Sequence, residues 1–161
     1  LMNAVIRDKR IVKDRVQGGY NVLKNHPLSD SERLGAIGYC FGGALVLNMA
    51  RLGMDLKVVV SFHGSLESFH TPTPGEIKAK ILVCHGAADK MISQEAIDQF
   101  KSEMDTAGAN FEFISYEGAL HGFSNPSADE SGQKFNLPLA YNENADRESW
   151  EAMKAFLERI L

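Results

Sequence analysis

Only two cysteines occur in 161 residues, Cys40 and Cys84. That is too few for a disulfide framework and fits a reducing compartment, so a cytoplasmic location is expected. Long apolar runs are missing as well. No stretch approaches the roughly 18 uninterrupted apolar residues of a membrane helix, and no signal peptide is visible behind the opening Leu1-Met2-Asn3, which is unlike a natural start. Basic residues are scattered, and 17 Lys and Arg against 21 Asp and Glu leave a net charge of −4. Such a balance gives no footprint for nucleic acid or an anionic membrane. Close-set ligand pairs of the C-x-x-C or H-x-x-x-H kind are also absent, which disfavours a metal centre even though Cys40, His63, His85, Asp89 and His121 could converge. Without repeats, low-complexity tracts or a linker, the chain reads as one domain.

What is present is a sequence 44% apolar, enough for a single core, in which short apolar runs alternate with helical periodicity. Ile11 to His26 carries Val12, Val16, Tyr20 and Leu23 on one helical stripe, although Gly18-Gly19 weakens it. Leu34 to Gly38 reads as a short buried strand and Phe41 to Leu52 as a helix apolar nearly all round. Leu56 to Phe62 and Lys80 to His85 are β-branched runs of the kind buried on both faces of a parallel sheet. A helix over Gln94 to Ala107 follows, with Ser93 as N-cap, an Ile92/Ile97 staple and Gly108 as its stop. Asn110 to Tyr116 forms another strand. Asp146 to Leu161 is an amphipathic helix expected to bury Trp150, Met153, Phe156, Leu157 and Ile160. Two segments, Gly64 to Ala79 and Ser124 to Asn144, read as long loops. The alternation predicts an α/β fold, a mostly parallel sheet with helices on both faces, whose ligands bind at the carboxyl ends of the strands.

Three strand ends carry the chemistry. The strand ending at Gly38 runs into Gly38-Tyr39-Cys40-Phe41-Gly42-Gly43, which has the form of a nucleophile elbow with cysteine as the nucleophile. Small residues are expected two before and two after Cys40, where the backbone passes close to its neighbours. The turn sets Cys40 at a helix N-terminus, which favours thiolate, and aims the Phe41 N–H at a developing oxyanion. Taken alone, the motif divides evenly between this reading and a small buried hydrophobe in a tight turn. Asp89 follows the next strand but one and His121 the last, giving the order nucleophile, acid, base. Separately, Asp89 could merely cap a turn before Met91-Ile92, and His121 could be structural. His63 and His85 also end strands and read as pocket wall or satisfied core; Cys84 reads as packing.

With GYCFGG, HGAAD and ALHGF at separations of 49 residues from Cys40 to Asp89 and 32 from Asp89 to His121, the chain resembles the dienelactone hydrolase family, cysteine-based members of the α/β-hydrolase fold. The resemblance implies Cys40 as nucleophile, His121 as general base, Asp89 as the acid that orients it and Phe41 as an oxyanion donor, with Tyr39, His63 and Asn125 around the substrate. It implies hydrolysis of enol-lactones and related activated esters without metal or organic cofactor. Members acting on dienelactone carry an arginine four residues after the catalytic histidine. Asn125 stands there in this chain, and an amide offers no positive charge to a substrate carboxylate.

The resemblance also implies strands before the elbow strand, with a second oxyanion N–H and an activating glutamate, so residues 1–161 are expected to be the C-terminal two-thirds of one domain. The bare edge of Leu34 to Gly38 would then be covered by preceding polypeptide or by self-association. A general carboxylesterase, a thioesterase and a non-catalytic small-molecule-binding domain of the same fold are the alternatives.

Overall fold

The computed structural model describes residues 9–161; the opening Leu1-Met2-Asn3 lies outside them. Helix α1 (Lys9–Lys24) is followed by β1 (Gly35–Tyr39), α2 (Phe41–Arg51), β2 (Val58–Phe62), β3 (Lys80–Gly86), α3 (Gln94–Ala107), β4 (Phe111–Tyr116), α4 (Ala128–Phe135) and α5 (Glu143–Ile160). The four strands lie in chain order in one sheet, and every neighbouring pair is parallel. Register runs straight across it, with Gly38 beside Ser61 and Phe62 beside Cys84. The carboxyl ends of all four strands therefore reach the same rim.

Alternation along the strands builds two cores. Val59, Ile81 and Val83 point to one face and pack with Leu47 and Ala50 of α2 and Phe100 and Met104 of α3. Their neighbours Val58, Val60, Leu82 and Cys84 point to the other face and meet Phe123 and the α5 side chains Met153 and Phe156. This is the period-two geometry of a strand, and it explains why β2 and β3 read as unbroken apolar runs: both faces are covered. Each fully buried Val, Leu, Ile or Phe contributes roughly 1.5–3 kcal/mol. The expected α/β architecture is therefore present in the described residues.

Two devices set the helices. Ser93 accepts the Ala96 N–H at 3.2 Å and Gly108 closes α3 in the left-handed region at φ 67°. Arg51 at the end of α2 is fully buried, pairs with Glu103 of α3 at 2.7 Å and donates to the carbonyls of Leu66 and Glu67. A charge taken out of water needs this complete set of partners. It locks α2, α3 and the 64–79 loop together.

Several expectations are corrected. Of the α1 stripe, Val12 and Tyr20 are buried, but Leu23 is 45% exposed because the helix passes over α2 and ends in solvent. The segment 124–144 is not a continuous loop: it contains α4, which Asn136 ends in the left-handed conformation. Helix α5 starts at Glu143, capped by Asn142, three residues earlier than the apolar periodicity indicates. Trp150 is not in the core but 48% exposed. Strand β1 hydrogen-bonds to β2 alone among the described strands. No helix of the described residues is long and apolar enough to cross a membrane.

Candidate active site

The turn from β1 to α2 is built by contact. A Cβ on Gly38 would lie 2.1 Å from the Gly42 carbonyl oxygen, so only glycine fits there. On the other side of the turn the tight position is Gly43, whose Cβ would meet Ser61 Oγ at 2.6 Å and the Gly64 Cα at 3.0 Å; Gly42 itself has open space. The close approach thus falls one residue later than the motif spacing indicates, because α2 leans on the end of β2 through Gly43. Between these glycines Cys40 is held at φ 52°, ψ −119°, a conformation costly for a side-chain-bearing residue and typical of functional turns. It leaves the thiol exposed at the rim of the sheet.

Asp89 and His121 arrive from the ends of β3 and β4. His121 Nδ1 lies 2.8 Å from Asp89 Oδ2 and Nε2 lies 3.2 Å from Cys40 Sγ. Asp89 also accepts the Met91 N–H through Oδ1 at 2.8 Å. The turn-capping role and the contact to His121 therefore coexist, one on each oxygen. His121 is further tied by a β-bridge to Leu139, which follows α4.

These contacts set the charges. The His121 hydrogen bond is the main cause that lowers the Cys40 thiol pKa, against burial, and the Phe41 N–H adds to it. Burial works against protonation of His121, yet its hydrogen bonds to Asp89 and Cys40 prevail and hold its pKa up at about 9. Burial would likewise raise Asp89, but the hydrogen bonds from His121 and the Met91 amide reverse this and hold it below the usual carboxylate range. Each of the three shifts favours the charged form: thiolate at Cys40, imidazolium at His121 and carboxylate at Asp89.

A cavity of about 660 Å³ opens over the pair. Tyr39, His63 and Asn125 all line it. Tyr39 stacks on Phe62 with ring centres 4.6 Å apart. The His63 ring lies 5.2 Å from that of His121 and its Nε2 is 2.9 Å from Ser124 Oγ; its Nδ1 is buried without a hydrogen-bond partner among the described residues. Burial first, then the His121 charge, pulls its pKa down to about 4, so this ring is neutral. Asn125 Oδ1 accepts the Ser127 N–H at 3.0 Å. His85 does not join the cavity; it is buried against Phe113. Cys84 is fully buried, and burial pushes its thiol up to about 12. A second cavity of about 710 Å³, between the 66–72 loop and α3, holds none of these residues.

Sequence reasoning does not reach Ser124, Asp146 and Trp150, which line the cavity too. For the last two a signal exists: they stand four residues apart on α5, hence on one face.

The profile of the dienelactone hydrolase family matches residues 2–161. Protein K02A2.1 of Caenorhabditis elegans, described as uncharacterized, is 38% identical over 154 residues, covering 91% of this chain and 92% of its own length. A Bradyrhizobium protein named "Probable 2-oxo-3-(5-oxofuran-2-ylidene)propanoate lactonase" is 29% identical over 126 residues, 72% of this chain and 50% of that protein. Among solved structures, the dienelactone hydrolase-like promiscuous phosphotriesterase P91 from metagenomic libraries superposes with a TM-score of 0.87 at 30% identity, covering 98% of this chain and 65% of that one. The chain thus spans nearly all of the nematode relative but about half of the bacterial one.

Proposed function

Because the chain belongs to the dienelactone hydrolase family, whose fold is the α/β-hydrolase fold, we propose that it hydrolyses an ester or lactone with Cys40 as nucleophile, His121 as general acid and base, and Asp89 as the group that orients His121. The observation that carries this reading is the unbroken line of hydrogen bonds from Asp89 through His121 to the exposed Cys40 sulfur at the floor of the cavity.

The reaction follows from the charge state of the pair. The Cys40 thiolate attacks the substrate carbonyl carbon, and the carbonyl π electrons move to oxygen, where the Phe41 N–H donates to the oxyanion. Collapse expels the alkoxide or enolate, which takes the proton from the His121 imidazolium, and leaves a thioester on Cys40. The now neutral His121 removes a proton from water as the water oxygen adds to the thioester carbon. The second collapse breaks the C–S bond, releases the carboxylic acid and restores thiolate and imidazolium. Asp89 keeps Nε2 facing the sulfur and stabilises the imidazolium without itself taking the proton.

Thiolate is a better leaving group than alkoxide, so the first intermediate reverts unless the substrate's own leaving group is good. Enol esters, enol lactones and aryl esters meet that condition. Asn125 disfavours substrates that carry a carboxylate, since no guanidinium is present there to pair with one. No group in the scheme requires a metal or organic cofactor, and a cytoplasmic setting is part of the proposal because Cys40 must stay reduced. The test is turnover of an uncharged enol ester before and after one equivalent of iodoacetamide. Activity lost in step with Cys40 labelling is expected; activity that survives complete labelling would overturn the assignment.

A further inference from the structure

One wall of the cavity takes no part in the reaction. Asp146 and Trp150 lie four residues apart on α5 and both face the cavity, next to Tyr39. Asp146 Oδ2 accepts the Tyr141 hydroxyl at 3.1 Å, and its other oxygen has no donor among the described residues. Asp146 is the one carboxylate among the described residues lining the cavity, and no lysine or arginine lines it. Its place in the first turn of α5 eases the cost of holding a negative charge there without cancelling that charge.

Trp150 is unusual in the opposite sense. Further along α5, Met153 and Phe156 are buried in the core, while the indole stays 48% exposed at the cavity wall. An exposed indole costs apolar area that packing would otherwise remove from water; at the cavity the side chain is available to a ligand. Tyr39 lines the same cavity, and burial first, then the Asp146 charge, pushes its phenol pKa up. A carboxylate that shares a cavity with aromatic side chains suits alkylammonium groups.

We propose that Asp146 and Trp150 form a subsite for a cationic group, a quaternary or alkyl ammonium, carried by the ester substrate. The substrate part of this statement rests on the ester-hydrolase reading above; the subsite itself does not. A positive group there gains attraction to Asp146 and the Trp150 ring together, whereas a carboxylate there is repelled by Asp146 and meets no lysine or arginine.

Trp150 is the chain's one tryptophan, so its fluorescence reports the subsite directly. The 161-residue chain is titrated with choline and with 3,3-dimethylbutan-1-ol, the uncharged molecule of the same shape. Choline is expected to bind about tenfold more tightly, as one cation–π contact plus one carboxylate supply. Added salt should weaken choline alone, and in Asp146→Asn, which can still accept the Tyr141 hydroxyl, the ratio should fall to near one. Equal affinities, or a preference that neither salt nor Asp146→Asn changes, would overturn the subsite. In parallel, hydrolysis of phenyl 4-(trimethylammonio)butanoate is compared with that of phenyl 5,5-dimethylhexanoate, its uncharged isostere. Faster hydrolysis of the cationic ester is expected. Hydrolysis of both at one rate with no choline preference would sink the subsite and spare the hydrolase reading. A choline preference without hydrolysis of either would do the reverse.

Discussion

His121 Nε2 lies 3.2 Å from Cys40 Sγ although 81 residues separate them in the chain. Two strand ends of one parallel sheet bring them together, and the contact makes the two cysteines of this protein chemically opposite. Cys40 is exposed with its thiol pKa lowered by His121; Cys84 is buried with its own pushed up to about 12.

The sign of these shifts sets a pH dependence. An unperturbed thiol near 8.5 loses reactivity about tenfold per pH unit below that value. Because the Cys40 pKa is lowered, its thiolate persists into that range, and the alkylation rate should fall much less between pH 8.5 and pH 6.5. Cys84 should stay unlabelled until the protein unfolds. The check is peptide mapping after timed iodoacetamide treatment. A Cys40 rate that follows a free thiol down the pH scale would contradict the paired state.

Replacing His121 by alanine removes both hydrogen bonds at once. In the full chain His121→Ala should reduce kcat for ester hydrolysis by roughly 10² or more, as expected for a lost general base. The circular dichroism spectrum should be kept. Activity within a few-fold of the parent would exclude His121 from proton transfer.

The elbow predicts unequal costs at two neighbouring glycines. Gly38→Ala forces a methyl to 2.1 Å from the Gly42 carbonyl oxygen and should destabilise by about 1–3 kcal/mol or more, as overpacking does. Gly42→Ala meets nothing within 4 Å. In a helix it should be neutral or stabilising, by up to about 1 kcal/mol. Urea unfolding of the two variants decides; equal losses would mean that the turn is not set by this contact.

That contact also marks a limit of sequence reading. The elbow itself is legible in Gly38-Tyr39-Cys40-Phe41-Gly42-Gly43, but whether Gly42 or Gly43 meets a neighbour depends on how α2 leans on β2, which the spacing does not contain. The strands are legible where both faces are buried, as in Val58 to Phe62, because the apolar run is then continuous. Helix α4 is not, since only Ala128 and Gly132 are buried in it and no apolar stripe results. Its signals are subtler: Ser127 before it, Asp129 and Glu130 in its first turn and Asn136 as its left-handed stop. Trp150 falls on the same apolar stripe as Met153 and Phe156, and a period of 3.6 does not distinguish a cavity wall from a core. Asp89, His121 and Cys40 are legible as candidates because each follows a recognisable strand within five residues, and parallel strands deliver their ends to one rim.

The most direct measurement of the proposed reaction is the covalent intermediate. The chain is mixed with an uncharged enol ester, quenched in acid during turnover, digested and analysed by mass spectrometry. The account predicts one acyl group, held as a thioester on the peptide containing Cys40, that accumulates further in His121→Ala if any acylation remains and is absent after Cys40→Ser or prior alkylation. Turnover with Cys40 blocked, or an acyl group on Cys84, would contradict it.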